Sequence, residues 1–489
     1  MPRLSPEIDH LLRRAGFGAS AADADQFRAT SADALVSHFV DYEGRPDDVD
    51  ARIGRPDHAR ISLDDAFSPD TDIDDARQRW LFRMIHTRRP LQEKMAMFWH
   101  NHFATAYRKI AAAAGELQAA KMMAYTPGQA RPLRGPQGQI ELFRQQALDR
   151  FSDLLVQVAQ DPAMLIWLDG RSNVKSRPQE NWGREVMELF TLGVDFYTES
   201  DVRAASRAFT GWNLRRSQGF RDDDPQSYYE FFYDAEQHDT DAKTFSFPVA
   251  PGGSHTIPAR GPSSGLQDGL DVLMALATHP ETARRLARKF WGFFVCETRD
   301  PDPAFVESTA SVYLRNGTAI RPVIRHILTS SWFTDAAVRH TRYSWPAEFV
   351  ARAIREVGWQ NFELGDVLTP LASMGMPLFE PPNVGGWETG PAWYSTATML
   401  ARTNFAATLA ASQREFLAVS LGADGGTRDA LLGAMLDRVT TAPLDRAPRE
   451  ALQAYLQAAG SWTGSPSQLG TRAAGLARLL VGASEYQLV

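Results

Sequence analysis

Apolar residues recur three and four positions apart along most of this chain, the spacing of one buried face of an α-helix. "DDARQRWLFRMIHT" (74–87) and "IELFRQQALDRFSDLLVQVAQ" (140–160) carry the pattern. So do 33–42, 266–279, 281–295, 303–316, 319–330, 347–358 and 403–421. Ile8, Leu11 and Leu12 begin it, and 449–460 and 469–483 end it. No run of strands alternates with these helices, which argues against a parallel sheet. The pattern therefore predicts an all-α fold: one large multi-helical domain with long polar loops and little or no β-sheet. Three polar stretches, 43–75, 215–227 and 246–264, are rich in Asp, Pro, Gly or Ser and read as loops. They suggest N-terminal helices (1–42), a polar excursion (43–75), a main helical body (76–421) and C-terminal helices packed on it (422–489).

Composition narrows the function classes. With 44% hydrophobic residues, 12 Trp and 27 Phe in 489 residues, the chain can fill a large core. The net charge is −7 and no Lys/Arg-rich block is present, so no nucleic-acid partner is expected. The longest apolar runs, such as "FWGFFVC", fall far short of the ~20 residues of a membrane-spanning helix. The first 20 residues lack the apolar stretch of a signal peptide, so a cytoplasmic location is expected. The one cysteine, Cys296, cannot form an internal disulfide or a thiolate zinc site, and sits in "RKFWGFFVCE" as a small buried hydrophobe would. Any metal would be held by His, Asp and Glu. HExxH, GxxxxGK[ST] and GxGxxG are absent, and "GPSSG" follows no strand, so a nucleophile elbow is not credible.

Candidate chemistry concentrates in a few windows. In "PQENWGREVMELFTLG" (178–193), Trp182, Val186, Leu189 and Phe190 share an apolar helical face. Glu185 lies at its edge and Glu188 one step round, with Cβ atoms within ~6 Å at that spacing. Two carboxylates beside an apolar wall can hold a metal or split their pKa values. Alternatively Arg184 neutralises Glu188 one turn on, and Gly193 ends the helix. Thr198 followed by Asp201 is a capping box, opening a helix whose Arg203 and Arg207 meet an anion, the preceding carboxylates, or solvent. His238 and Asp239 stand together in a polar loop. "FEPPNVGGWETGPAWY" (379–394) is a stiffened loop presenting Asn383, Trp387 and Trp393, either lining a pocket or plugging a helical core. In "FWHNHF", His100 and His102 are two apart and point about 200° from each other on a regular helix. They can act together only if the helix ends near Asn101. His102 falls on the face of Met95, Phe98 and Trp99.

The blocks "HLLRRAGFG", "FWHNHFAT", "ENWGREVMELFTLGVDFYTESDVRAASRAFTGW", "QHDTDAKTF", "LARKFWGFFV" and "PPNVGGW" occur in this order from His10 to the C-terminus. The combination resembles the DUF1800 family, an uncharacterised bacterial family. The resemblance implies frequent export of family members and a functional link to a DUF1501-family protein, whose genes often lie alongside. The chain has Trp182 and Gly183 where the family pattern has Phe-Ala, and Gln179 where Asn is usual. Arg184, Glu185 and Glu188 stay in place.

Buried Glu and His side chains are costly without partners and tend to meet one another or a metal. The expected function is an enzyme with a buried His/Glu site, hydrolytic rather than redox, with a divalent metal as an option. Glu185, Glu188, His102 and His238 would be its acid–base groups, and Arg184 an anion clamp or carboxylate partner. Metal ligands would come from His100, His102, Glu185, Glu188 and His238. Asn383, Trp387, Arg14 and Asp239 would bind substrate, and the aromatic loop is the one hint of a glycan or other polymer. The alternative is a non-catalytic helical binding or assembly protein whose polar cluster is a structural ion-pair network.

Overall fold

A computed structural model describes residues 4–62, 66–128, 133–422, 425–458 and 460–489. Its described residues form 24 α-helices and two small two-stranded antiparallel sheets, so the fold is mostly helical but not strictly all-α. Trp212–Arg216 pairs with Tyr229–Tyr233, Trp212 opposite Tyr233, which turns the polar stretch 215–227 into a hairpin connection. Lys243–Thr244 pairs with Thr256–Ile257.

Most helices lie where the periodicity puts them. Ile73–His86, Leu266–Thr278, Pro303–Arg315 and Pro346–Val357 are each within a residue or so of the apolar pattern that marks them. Thr198 caps Glu199–Ala208 through the capping box with Asp201. The run 140–160 is different: it divides into Gln139–Gln145 and Phe151–Ala159. Between them, Leu148 and Asp149 accept from the main-chain N–H groups of Arg321 and Ile320, and Phe151 donates to Thr318. A tertiary partner satisfies this backbone, so local periodicity does not hold it helical.

Pro90–His102 is the central helix, buried from Leu91 to His100 and again at His102. Trp99, Phe103, Phe143, Phe151, Phe190 and Phe290 pack around its C-terminal end. Charge is buried with it. Lys94 pairs with Glu348, and Arg342 donates to the same carboxylate at 2.8 Å. Glu93 accepts from Arg144 at 2.7 Å, and Arg144 also reaches Glu141, which is paired with Arg83. Charges taken out of water at this depth are costly unless opposite charges or hydrogen-bond acceptors meet them. Burial works against Glu348 ionising, yet the Arg342 and Lys94 charges hold it down at about 2. No described helix is long and apolar enough to cross a membrane.

Candidate functional site

Three helix ends meet beside the core. Pro90–His102 ends on His102, and Glu180–Glu185 runs on into a π-helical turn, Val186–Phe190. Pro280–Phe290 runs into a second π turn, Trp291–Val295. Such wide turns are rare and frequent at functional sites. The first is supported by the Thr191 hydroxyl, which donates to Val186 O at 2.5 Å, and by Gly193 N donating to Met187 O at 3.0 Å. Gly193 has φ +91°, and a Cβ there would lie 2.8 Å from the Arg285 guanidinium. Glycine is therefore required both by the backbone angle and by that close approach.

His102 joins these ends. Its Nε2 faces the Phe190 carbonyl at 3.0 Å, and a carbonyl only accepts, so the proton is on Nε2. Nδ1 is then the acceptor for Lys289 Nζ at 3.0 Å. Burial, with the charges of Lys289 and Arg285, keeps the imidazole pKa well below its ordinary value, so the ring is neutral at pH 7. Burial, with Arg285 adding to it, lowers Lys289 to about 7. Lys289 remains partly exposed. Arg285 donates to Leu189 O at 3.2 Å, so it and His102 satisfy carbonyls at the open C-terminal end of the first π turn.

Glu185 and Glu188 lie on this π turn and the helix before it, both half-buried. Burial and the Glu188 charge raise the Glu185 carboxyl above its ordinary value. The expected Arg184–Glu188 pair does not form. Arg184 instead donates to Glu199 at 2.7 Å and to Glu180 at 3.2 Å, while Glu188 accepts from the Tyr197 hydroxyl. Arg285 links Glu188 to the His102–Lys289 pair electrostatically, since the Glu188 charge acts on its guanidinium and Arg285 acts on both members of the pair. Just beyond, Val194 and Phe196 are exposed, 59% and 48%, on either side of Asp195, whose φ is +74°. A non-glycine residue held there is strained, and such strain gathers at functional sites. Gly183 lets the first helix lie close on Glu199–Ala208, where a Cβ would be 3.2 Å from that of Ala205.

The other candidates lie elsewhere. His238 Nδ1 faces Thr210 O at 2.8 Å, and Nε2 faces Asp268 at 3.2 Å. Asp268 is fully buried and also accepts from Lys243 and Arg260, each at 2.6 Å. Asp239 is clamped by both arms of Arg207, at 2.7 and 2.9 Å. His100 points away from His102 into an aromatic box of Trp80, Phe379 and Trp387, with Nε2 unpartnered. Burial alone lowers it to about 3. The helix does not unwind at Asn101, so the two histidines do not converge. Instead Asn101 Oδ1 accepts from Trp387 N at 2.7 Å, docking the stiff loop onto the helix end. Trp387 is buried, and Asn383 is exposed with its Oδ1 turned back to Gly385 N at 2.8 Å. Arg14 is fully buried and donates to Phe294 O at 3.1 Å and Val338 O at 2.8 Å. Cys296 is buried, its Sγ 3.3 Å from the Thr298 hydroxyl. The five residues named as metal ligands thus lie in three different environments. Among the described residues no group of three or more His, Cys, Asp or Glu side chains is arranged to hold a metal.

Sequence reasoning missed Lys289, Arg285, Tyr197 and Asp268. The first two stand four apart within the window containing "LARKFWGFFV", a spacing that places both on one helix face, so a signal was present. Asp268 carries no such signal, because its partners come from 8 to 30 positions away in sequence.

These features define a large, mostly helical protein in which His102, Arg285 and Lys289 meet where three helices end. The chain belongs to the family described as "Protein of unknown function (DUF1800)", whose model matches residues 10–488. No curated protein and no solved structure matches it.

Proposed function

We propose that the chain is an enzyme of acid–base, hydrolytic type, with Lys289 as proton acceptor and His102 as the residue that positions it. Glu185 and Glu188 form the carboxylate side of the site. The observation that carries this reading is the Lys289–His102 hydrogen bond: a partly exposed amine, lowered to about 7, stands against a neutral imidazole instead of a carboxylate. An amine with that pKa is available unprotonated at neutral pH and can take a proton from water or a hydroxyl. Burial and the Glu188 charge raise the Glu185 carboxyl above its ordinary value, and Arg285 offers positive charge to a developing anion.

The test is a panel of chromogenic esters, amides, phosphoesters and glycosides, assayed with the wild type, Lys289→Met and Lys289→Arg. Expected is turnover of one class, rising through an acidic limb near pH 7 and reduced ~100-fold or more in Lys289→Met with the fold retained by circular dichroism. Turnover that survives Lys289→Met overturns the reading, as does an inert panel.

One observation favours a non-catalytic reading. Arg14, Arg285 and His102 all donate to main-chain carbonyls, and both His238 nitrogens face protein oxygens. On this reading the ionisable residues of the family blocks are tertiary fasteners of a binding or assembly protein. Lys289→Met would then change stability and no activity.

A further inference from the structure

A second set of donors lies away from the three helix ends, around a cavity of about 380 Å³. That volume is within the usual range for small-molecule sites. Gly16, Phe17 and Gly18 of the "HLLRRAGFG" block form part of its wall. Phe27, Phe39 and Trp359 add flat apolar surface.

The polar lining is rich in donors. Ala59 N donates to His86 Nε2 at 3.1 Å, and an amide N–H can only donate, so the neutral ring carries its proton on Nδ1. Arg45 donates to His38 Nδ1 at 2.6 Å, which by the same logic leaves the proton of that ring on Nε2. Neither remaining N–H has a protein partner among the described residues. Both imidazoles are neutral at pH 7: burial and neighbouring charge lower His38 to about 4 and His86 to about 2.

Arginine charge surrounds them. Arg355 is matched by Asp23 at 2.7 Å and Arg52 by Asp48 at 2.6 Å. Arg45 has no carboxylate within ion-pair distance among the described residues, and spends a guanidinium N–H on a neutral histidine. Asp23, already bound to Arg355, is the one carboxylate in the lining among the described residues. A cavity with an unmatched guanidinium and two open imidazole N–H groups lacks an anion, not a cation.

We propose that this cavity binds a small organic oxyanion, a carboxylate or a phosphate monoester. The charged group lies against Arg45 and the histidine N–H groups, and the organic body against Phe17, Phe27 and Trp359. This does not depend on the acid–base site.

Titration calorimetry on the full chain tests it with benzoate, phenyl phosphate, inorganic phosphate and uncharged benzamide. Expected is one site per chain for benzoate or phenyl phosphate, the tighter of the two naming the anion. Benzamide and inorganic phosphate should bind ~10-fold or more weakly. Arg45→Gln should weaken the better ligand ~10-fold or more, and Arg45→Lys less, with the ligand-free melting temperature unchanged in both. The proposal is overturned if neither organic anion binds at millimolar concentration, if benzamide binds as well as benzoate, or if Arg45→Gln leaves affinity intact.

Discussion

Lys289 donates to Nδ1 of His102 at 3.0 Å, and through the other ring nitrogen His102 holds the carbonyl of Phe190 at 3.0 Å. One neutral imidazole therefore ties a lysine near its titration point to the open end of a π turn. The direction of each bond follows from what its partner can do, because the carbonyl cannot donate.

The lysine should show this in its reactivity. At pH 7 to 8, acylation followed by peptide mapping is expected to modify Lys289 with a rate whose midpoint lies near 7. A midpoint near the ~10.4 of a free lysine would remove the basis of the acid–base reading.

Stability should follow the same group. Below pH 7 both folded and unfolded chains hold the proton, and the full penalty of the buried charge applies. Between pH 7 and ~10.4 the unfolded chain holds the proton and the folded one does not, so this contribution to stability rises with pH. Lys289→Met removes that dependence. Denaturant unfolding at pH 7 and pH 9.5 should show wild type gaining on the variant by on the order of 2 kcal/mol, discounted for partial exposure.

Glu348 acts in the same direction at lower pH. Its folded pKa, about 2, lies below the ~4.3 of an unfolded glutamate. Its contribution is present above ~4.3 and is lost as pH falls toward 2. Burial lowers Lys94 to about 8 in spite of this carboxylate, so the pair is worth less than the acid alone suggests. Glu348→Gln leaves Lys94 and Arg342 buried without their counter-charge and should cost about 3–5 kcal/mol. Lys94→Met, which leaves the Arg342–Glu348 bond, should cost less. Equal costs would contradict this assignment.

The loop carrying Trp387 should be sensitive at Gly386. Its φ is +89°, and a Cβ would lie 2.3 Å from Asn101 Oδ1. Gly386→Ala is expected to destabilise by about 1–3 kcal/mol through strain and the lost seat on the helix end. A melting temperature equal to wild type would show that the loop does not need this seat.

Metal content offers a further check. With no trio of donors gathered among the described residues, protein purified without added metal should carry far less than one ion per chain. Added zinc should not raise its melting temperature. Stoichiometric metal lost in Glu185→Ala or His102→Ala would instead restore the metal-dependent form of the hydrolase.

The sequence by itself determined the helical body, because burial imposes the 3.6-residue period wherever a helix covers the core, as in Ile73–His86 and Leu266–Thr278. It also determined the Thr198–Asp201 cap, whose partners are three residues apart; whether His100 and His102 could act together it left open, and the helix running on to His102 decided that. Tertiary structure decided the rest. The break in 140–160 depends on backbone groups of 318–321, and the Arg184–Glu199, Glu188–Tyr197 and His238–Asp268 contacts join different elements. Lys289 acquires its character from burial, from Arg285 one turn back on its own helix, and from a hydrogen bond to His102, 187 positions away, which local pattern cannot bring to it. Periodicity reports which face of a helix is buried; it carries no record of which charged group waits on the other side.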